Sequence, residues 1–264
     1  MLAHPWSELP NEVHLIIISC LAIRDVPVAC TINRWFAANI SRCITTINRV
    51  QVKKINDTVL QRLHNVTSMN LSSNTRITDA GISHLSSLTA LNLCSDTKIT
   101  NTGISRLSSI KALSLENNYM ITGEGIKHLS LTSLNINSNC IISDNDISAM
   151  SALTSLTLAF KSKITNAGIS KLPLLTLDLD NNSIITDIST LGLTSLKLFG
   201  NNKITDDCIR DLSTLTKLEI NYNDRITDAG IRNLSQLTSL DIRGNDNVTS
   251  AGIAHLPLLT KIMK

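Results

Sequence analysis

The sequence predicts an α/β solenoid, in which one short unit of strand, turn and helix is repeated along most of the chain. Nine consecutive copies of the pattern LTxLxLxxNxxITxxGIxxLxx begin between Val66 and Leu237. Successive copies start 22 residues apart, with occasional shortening to 21 or 19, and the seventeenth residue of every copy is isoleucine. A fixed period of this length is the signature of stacked-repeat architectures. Such a regular array excludes most enzyme folds.

The array extends slightly beyond the nine clear copies. A fainter copy precedes them, with Ile44, Ile47 and Ile55 at the matching places, and a fragment from Leu259 to Lys264 follows them. The predicted solenoid therefore occupies residues 44–264 and contains about ten repeats. The nine clear copies start at Val66, Leu88, Ile110, Leu131, Leu153, Leu174, Leu193, Leu215 and Leu237.

The first half of each copy predicts a strand. In the segment LTALNL, Leu91 and Leu93 alternate with polar residues, which is the pattern of a short strand with one buried face. A single copy cannot bury its leucines alone, so stacking must form the core. Nine parallel strands about 4.8 Å apart would form a concave sheet about 40 Å wide, which is suited to docking.

Asparagine recurs at the ninth position of the copies, after the strand. Its amide both donates and accepts, so we expect it to bond backbone groups of the turn in its own copy and in the next one. Asp96 and Lys161 interrupt the series. The asparagines are Asn74, Asn118, Asn139, Asn182, Asn201, Asn223 and Asn245.

The second half of each copy predicts a short helix. Threonine or serine follows the aliphatic residue at position twelve, as in Thr78, Thr100 and Ser143, and suits the N-cap of a helix running through Ile82 and Leu85.

The pattern LxxLxLxxN followed by ITDAGI resembles the leucine-rich repeat, in a variant found in many F-box proteins and in bacterial proteins. The resemblance implies a horseshoe with a parallel concave sheet that binds proteins.

Residues 1–43 contain no trace of the repeat and predict a small helical module. They combine LPNE at Leu9 to Glu12, a helix through Ile17 and Leu21, and Asp25 before Trp35. This order resembles the F-box, a helical module that docks on the Skp-family adaptor of cullin ubiquitin ligases. The resemblance implies these adaptor-binding residues: Leu9, Pro10, Glu12, Ile17, Leu21, Val26 and Trp35.

Two departures from the F-box pattern leave an alternative open. Pro27 stands where leucine is commoner, and the stretch from Asp25 to Trp35 is about one residue short. The segment could instead only cap the first strand of the solenoid, since an uncovered end exposes apolar core. In that case the chain is an interaction scaffold unrelated to ubiquitin.

Strand residues that flank the leucines should face the concave side, at positions three, five, seven and eight. They are small in the early copies and aromatic or charged in the later ones, which favours a protein-binding patch because core packing does not explain them. The alternative is that exposed concave positions vary freely and that aromatic residues occur there by chance. The predicted target-binding residues are Phe160, Asp178, Asp180, Lys197, Phe199, Glu219, Tyr222, Asp241 and Arg243.

Composition predicts neither catalysis nor a cofactor. The net charge of +3 comes from scattered basic residues, which disfavours nucleic acid as a partner. The six cysteines show neither CxxC spacing nor a metal-like cluster with the six histidines, which fits free thiols in a reducing compartment. His84, His128 and His255 occupy one repeat position, so we expect surface residues rather than catalytic ones.

The longest apolar run, from Leu15 to Ile23, is shorter than the ~20 residues of a membrane-spanning helix. We therefore expect a cytoplasmic or nuclear protein without membrane partners.

The F-box resemblance implies that this chain is the substrate-recognition subunit of a ubiquitin ligase. The ubiquitin-transfer chemistry is then expected to lie in other subunits of the ligase. The very regular, isoleucine-rich copies favour an effector of an intracellular bacterium, for which the location would be the host cytosol; eukaryotic and viral origins are the alternatives.

Overall fold

The protein is represented by a computed structural model that describes residues 44–48, 55–95 and 97–264. The F-box-like module predicted in residues 1–43 lies outside them, and its docking role stays a prediction. Its adaptor-binding residues Leu9, Pro10, Glu12, Ile17, Leu21, Val26 and Trp35 are therefore not placed.

Within the described residues, eleven strands form one parallel sheet in which strand order follows sequence order. Each strand contains two or three residues. They are β1 Thr46–Ile47, β2 Ser68–Asn70, β3 Ala90–Asn92, β4 Ala112–Ser114, β5 Ser133–Asn135, β6 Ser155–Thr157, β7 Thr176–Asp178, β8 Ser195–Lys197, β9 Lys217–Glu219, β10 Ser239–Asp241 and β11 Lys261–Met263.

The register of the sheet follows the register of the repeat. Leu91 of β3 pairs with Leu113 of β4, and Leu113 with Leu134 of β5, so equivalent leucines stack in a row. Each central leucine is buried while its two strand neighbours are partly exposed, which confirms the predicted alternation. Fully burying one leucine contributes about 1.5–3 kcal/mol, so the continuous stack is the main source of stability. The predicted leucine-rich-repeat solenoid is confirmed.

Nine helices of four residues lie on the opposite side of the described array. They are α1 Asp57–Leu60, α2 Asp79–Ile82, α3 Asn101–Ile104, α4 Gly123–Ile126, α5 Asp144–Ile147, α6 Asn166–Ile169, α7 Asp206–Ile209, α8 Asp228–Ile231 and α9 Ser250–Ile253.

The predicted N-caps are present, although the helices are shorter than expected. Thr78 caps α2, and its hydroxyl oxygen accepts the Ala80 N–H at 3.3 Å. The helix ends at Ile82, and Leu85 is buried in the turn beyond it. The copy that begins at Leu174 differs from the prediction, because no helix lies between β7 and β8 in the described chain. That copy has only 19 residues, too few for a complete unit.

The asparagine series holds adjacent copies together, but in the opposite direction to the one predicted. The Asn118 side-chain amide donates to the carbonyl oxygen of Leu93 at 2.8 Å, in the preceding copy rather than the next. Its side-chain oxygen accepts the N–H groups of Met120 and Ile121, both at 3.0 Å, in its own turn. Asn118 is fully buried, so these bonds satisfy backbone groups that water cannot reach.

The interruption at Lys161 changes the path of the turn. In most copies the residue at position eight has a positive φ, but here Lys161 at position nine has it, at 58°. Buried Ser162 substitutes for the missing asparagine, because its hydroxyl accepts the Ile164 N–H at 3.2 Å. One hydroxyl replaces only part of the bonding of an amide, and Phe160 is left on the outside of the turn.

A second series of contacts links the helices of adjacent copies. Both carboxylate oxygens of Asp79, at position fourteen, accept bonds from Thr100 of the next copy, the N–H at 2.8 Å and the hydroxyl at 2.6 Å. Gly103, at position sixteen of that next copy, packs against the same carboxylate: a Cβ there would lie 2.8 Å from Asp79 Cγ. Sequence reasoning missed this contact, although aspartate at fourteen and glycine at sixteen recur in the pattern.

One pair of copies exchanges these two residue types. Position fourteen of the copy beginning at Ile110 is Gly123, and position sixteen of the following copy is Asp146. Asp146 accepts bonds from the N–H and hydroxyl of Ser143 in its own copy, at 2.8 and 2.7 Å. A Cβ on Gly123 would overlap the Asp146 carboxylate. The Ser143 cap thus keeps a carboxylate, now from its own copy, and the residue that faces this carboxylate is glycine.

Candidate protein-binding face

The concave face consists of the strand and turn residues at positions three, five, seven and eight, and its two halves differ in chemistry. The first half carries small, uncharged side chains on the strands β1 to β5, which line an open trough of about 400 Å³, and the Glu116 carboxylate at position seven of the copy beginning at Ile110. Residues that line the trough include Ser68, Asn70, Ala90, Asn92, Ala112 and Ser114. These short side chains offer little to anchor a partner.

The second half carries a row of charges on neighbouring strands. Lys197 Nζ on β8 lies 3.9 Å from Asp178 Oδ2 on β7 and 3.9 Å from Glu219 Oε2 on β9. Lys217 Nζ makes a closer pair with Glu219 Oε1 at 2.6 Å. These partly exposed pairs fix the side chains in relation to each other and contribute little net stability.

Arg243 and Asp241 form a bidentate pair at the end of this row. Arg243 Nε lies 3.0 Å from Asp241 Oδ1, and a terminal guanidinium nitrogen lies 2.7 Å from Oδ2. Asp241 is only 2% exposed, so the group facing solvent here is the guanidinium, in contrast to the exposed carboxylate expected from sequence. Burial tends to raise the pKa of Asp241, but hydrogen bonds from Arg243 and Asn221 outweigh it, and the pKa is lowered.

Phe199 and Tyr222 form an exposed aromatic pair on this half of the face. Their ring centroids are 5.4 Å apart and the rings meet edge to face at 71°. The side chains are 40% and 63% exposed. The Tyr222 ring lies over Gly244, where a Cβ would approach ring carbons to 2.6 Å. Glycine at this position, with φ of 68°, therefore allows the ring to lie against the next turn.

Phe160 is exposed but lies apart from the pair. Its side chain is 52% exposed, and Lys161 Nζ lies 5.1 Å from its ring centroid in a cation–π contact. Within the described residues no ring contact joins it to Phe199 or Tyr222. The structure therefore brings together eight of the nine predicted target-binding residues on four adjacent strands and their turns, and leaves Phe160 on the turn after β6.

A depression of about 220 Å³ lies beside the aromatic pair. It is lined by Asp180, Phe199, Glu219, Asn221, Tyr222 and Arg243. Sequence reasoning missed Asn221, which shares position seven with Asp180, Phe199 and Arg243 and could have been found from that register. Asn221 is buried and hydrogen-bonds to Asp241, so it helps to stabilise the carboxylate that binds Arg243.

Other kinds of site find no support in the described part of the chain. No group of three or more histidine, cysteine or acidic residues there is arranged to hold a metal ion. None of the helices described has the length and apolar character needed to cross a bilayer.

Comparisons with known proteins agree with this architecture. The family model described as "Leucine Rich repeat" matches residues 62–86, 127–151, 211–235 and 236–256. No curated protein sequence matched the chain.

Two similar solved structures are internalins from Listeria monocytogenes. An internalin named inlF has a TM-score of 0.55 and 22% identity, with 86% of this chain and 75% of that chain covered. An internalin C2 has a TM-score of 0.48 and 23% identity, covering 79% of this chain and 83% of the other. At this level of identity the first match speaks to the fold alone. The repeated sequence, the parallel sheet and the four segments matched by the family model together support a leucine-rich-repeat solenoid fold for the described chain.

Proposed function

We propose that this protein is the substrate-recognition subunit of a cullin ubiquitin ligase. Residues 1–43 dock on a Skp-family adaptor, and the second half of the concave face binds a target protein. The chain performs no chemistry itself; by holding the target near the ligase it makes ubiquitin transfer effectively intramolecular, through a raised local concentration. Such a receptor acts in the cytoplasm or nucleus, or in the host cytosol if it is a bacterial effector.

The main observation in support of target binding is the exposed aromatic pair, Phe199 and Tyr222. Solenoids of this class use extended concave surfaces for binding, and the energy of protein interfaces concentrates in a few aromatic and arginine anchors. Phe199, Tyr222 and Arg243 supply such anchors within one depression. The surrounding ion pairs would orient the partner more than they would add affinity.

The adaptor-binding half rests on the sequence of residues 1–43. Capping of the solenoid explains an apolar segment but not the combination of LPNE with Asp25 and Trp35. A module of this kind can cover the first strand and dock at once. The resemblance assigns Leu9 and Pro10 to the first apolar contact with the adaptor, and Ile17 and Leu21 to its groove.

Quantitative co-purification from cell extract tests the two halves separately. The wild-type chain would be compared with Leu9→Ala/Pro10→Ala and with Phe199→Ala/Tyr222→Ala, after circular dichroism has confirmed that each is folded. We expect the first variant to lose adaptor and cullin but to retain other partners, and the second to show the reverse. If neither variant changes its partners, the receptor proposal is wrong. A scaffold unrelated to ubiquitin would retain target and never recover cullin.

A further inference from the structure

The depression beside the aromatic pair has an unbalanced charge. Asp178, Asp180, Glu219 and Asp241 supply four carboxylates to this part of the face, and Lys197, Lys217 and Arg243 supply three cations, which leaves one negative charge. Three of the carboxylates are in ion pairs: Asp178, Glu219 and Asp241. In the described residues, no cation lies within ion-pair distance of the fourth, Asp180.

Asp180 is held in place by the backbone rather than by a counter-ion. Its Oδ1 accepts the Phe199 N–H at 2.8 Å, which fixes the carboxylate next to the aromatic pair. Its second oxygen carries no hydrogen bond from the described residues. The carboxylate is thus positioned to accept a bond from an external group entering the depression.

The electrostatic environment of Asp180 favours a positive ligand. Burial raises its pKa from the ordinary value of 3.8, and the adjacent Asp178 raises it further. The Phe199 N–H and Lys197 act in the opposite direction without cancelling the rise, and Glu219 adds to it. A cation bound at Asp180 would relieve this cost of ionisation. Aromatic rings next to a carboxylate also suit a cation with an apolar stem.

We propose that this depression receives a lysine or arginine side chain of the target protein, with its charged head on Asp180 and its aliphatic stem against Phe199 and Tyr222. The proposal rests on the proposed function, because it specifies the chemistry of the partner at the same surface. Arg243 does not oppose the ligand strongly, since Asp241 neutralises it through two hydrogen bonds. The target is therefore expected to present an exposed basic residue.

Nuclear magnetic resonance with short peptides tests this inference on the full chain. The probes are capped Gly-Arg-Gly and Gly-Lys-Gly, with capped Gly-citrulline-Gly as an uncharged analogue of the arginine peptide. The chain contains only three phenylalanines and two tyrosines, so ring resonances of Phe199 and Tyr222 can be assigned by substitution. We expect saturable shifts of these resonances with at least one basic peptide and none with the citrulline peptide.

Two variants sharpen the test. Asp180→Asn should weaken basic-peptide binding about tenfold or more, because it removes a charge-assisted hydrogen bond. Asp211→Asn is the matched control, since Asp211 is exposed outside the concave face, and binding should not change. Affinity for the basic peptide should fall as pH decreases through the raised pKa of Asp180, beginning at a higher pH than for an ordinary aspartate.

The outcomes separate this inference from the wider proposal. Equal shifts with the citrulline peptide, or unchanged binding by Asp180→Asn, would overturn the basic-side-chain inference but leave target binding at the aromatic pair intact. The absence of a saturable shift with every peptide would also overturn it. Whether the concave face binds a whole target is decided independently, by the Phe199→Ala/Tyr222→Ala co-purification.

Discussion

At the scale of single residues, contacts between adjacent copies explain why glycine recurs at position sixteen wherever a carboxylate or amide at position fourteen of the preceding copy packs against it. Substitution by alanine usually stabilises a helix by about 0.5–1 kcal/mol. At Gly103 the new Cβ would meet the Asp79 carboxylate, which is held by two bonds to Thr100. Hydrogen bonds to charged groups contribute about 1.5–3 kcal/mol each. The lost bonds therefore outweigh the gain in helix propensity.

We predict that Gly103→Ala lowers the free energy of unfolding by about 1–2 kcal/mol, from the balance of these opposing terms. Urea denaturation followed by circular dichroism measures it. Gly192→Ala is the matched control, because nothing lies within 4 Å of a Cβ at Gly192. The control should be neutral or slightly stabilising. Equal effects in the two variants would show that the packing of glycine against aspartate is unimportant.

The natural exchange at Gly123 and Asp146 predicts a compensating pair elsewhere. Asp79→Gly combined with Gly103→Asp recreates that arrangement two copies earlier in the ladder. We expect the double variant to be more stable than the sum of the single effects predicts, by at least about 1 kcal/mol, because contacting residues couple. A double-mutant cycle in urea gives the coupling energy, and additive effects would argue against a shared carboxylate.

At the scale of structural elements, the buried asparagines connect the turns. Asn223 donates to the carbonyl oxygen of Asn201 at 2.6 Å and accepts the N–H groups of Arg225 and Ile226 at 2.9 and 3.1 Å. Removing the amide leaves three backbone groups unpaired, two in buried and one in a partly buried hydrogen bond, and each unpaired buried group costs about 1–3 kcal/mol.

We predict that Asn223→Ala destabilises the protein by about 3–5 kcal/mol, from the three unpaired groups. Exposed Asn202, in the preceding turn, provides the control, and Asn202→Ala should change stability by less than about 0.5 kcal/mol. Chemical denaturation measures both variants. A small effect at Asn223 would mean that water or a shifted backbone can replace the amide.

The shortened copy creates a local weakness on the helical side. The helices α6 and α7 are separated by a copy without a helix, and there the Asp187 side chain instead accepts the Ser189 N–H at 2.9 Å. We predict faster amide hydrogen exchange in residues 186–192 than at the equivalent places in the two neighbouring copies, because fewer backbone bonds protect them. Equal protection in all three copies, measured by mass spectrometry, would contradict this prediction.

At the scale of the whole molecule, the repeat sequence was sufficient to predict the solenoid, since strict periodicity fixes both the strand register and the buried leucines. It did not predict contacts that depend on the direction of stacking, such as the bond from Asn118 back to Leu93. It also did not predict the burial of Asp241, because alternation assigns a side chain to a face without revealing that Arg243 covers it. The displaced turn at Lys161 depends on a single missing asparagine, which the sequence marked as an interruption without indicating its geometry.

The two halves of the concave face differ in chemistry, and under the proposed function only the second half binds the target while residues 1–43 bind the adaptor. Uncharged small residues lie near the N-terminal end of the sheet, and aromatic and charged residues lie towards its C-terminal end. In the proposed receptor, target and adaptor are bound by different parts of the chain, the second half of the concave face and residues 1–43. Substitutions at one site should therefore leave binding at the other unchanged.

Isothermal titration calorimetry with purified Skp-family adaptor tests the central claim most directly, using the full chain. We predict a 1:1 complex with the wild type, the same affinity for Phe199→Ala/Tyr222→Ala, and at least about a tenfold loss for Leu9→Ala/Pro10→Ala, because two apolar contacts are removed. Circular dichroism and the thermal midpoint would establish that the last variant is folded. Failure of the wild-type chain to bind the adaptor, or an equal loss in both variants, would contradict the account.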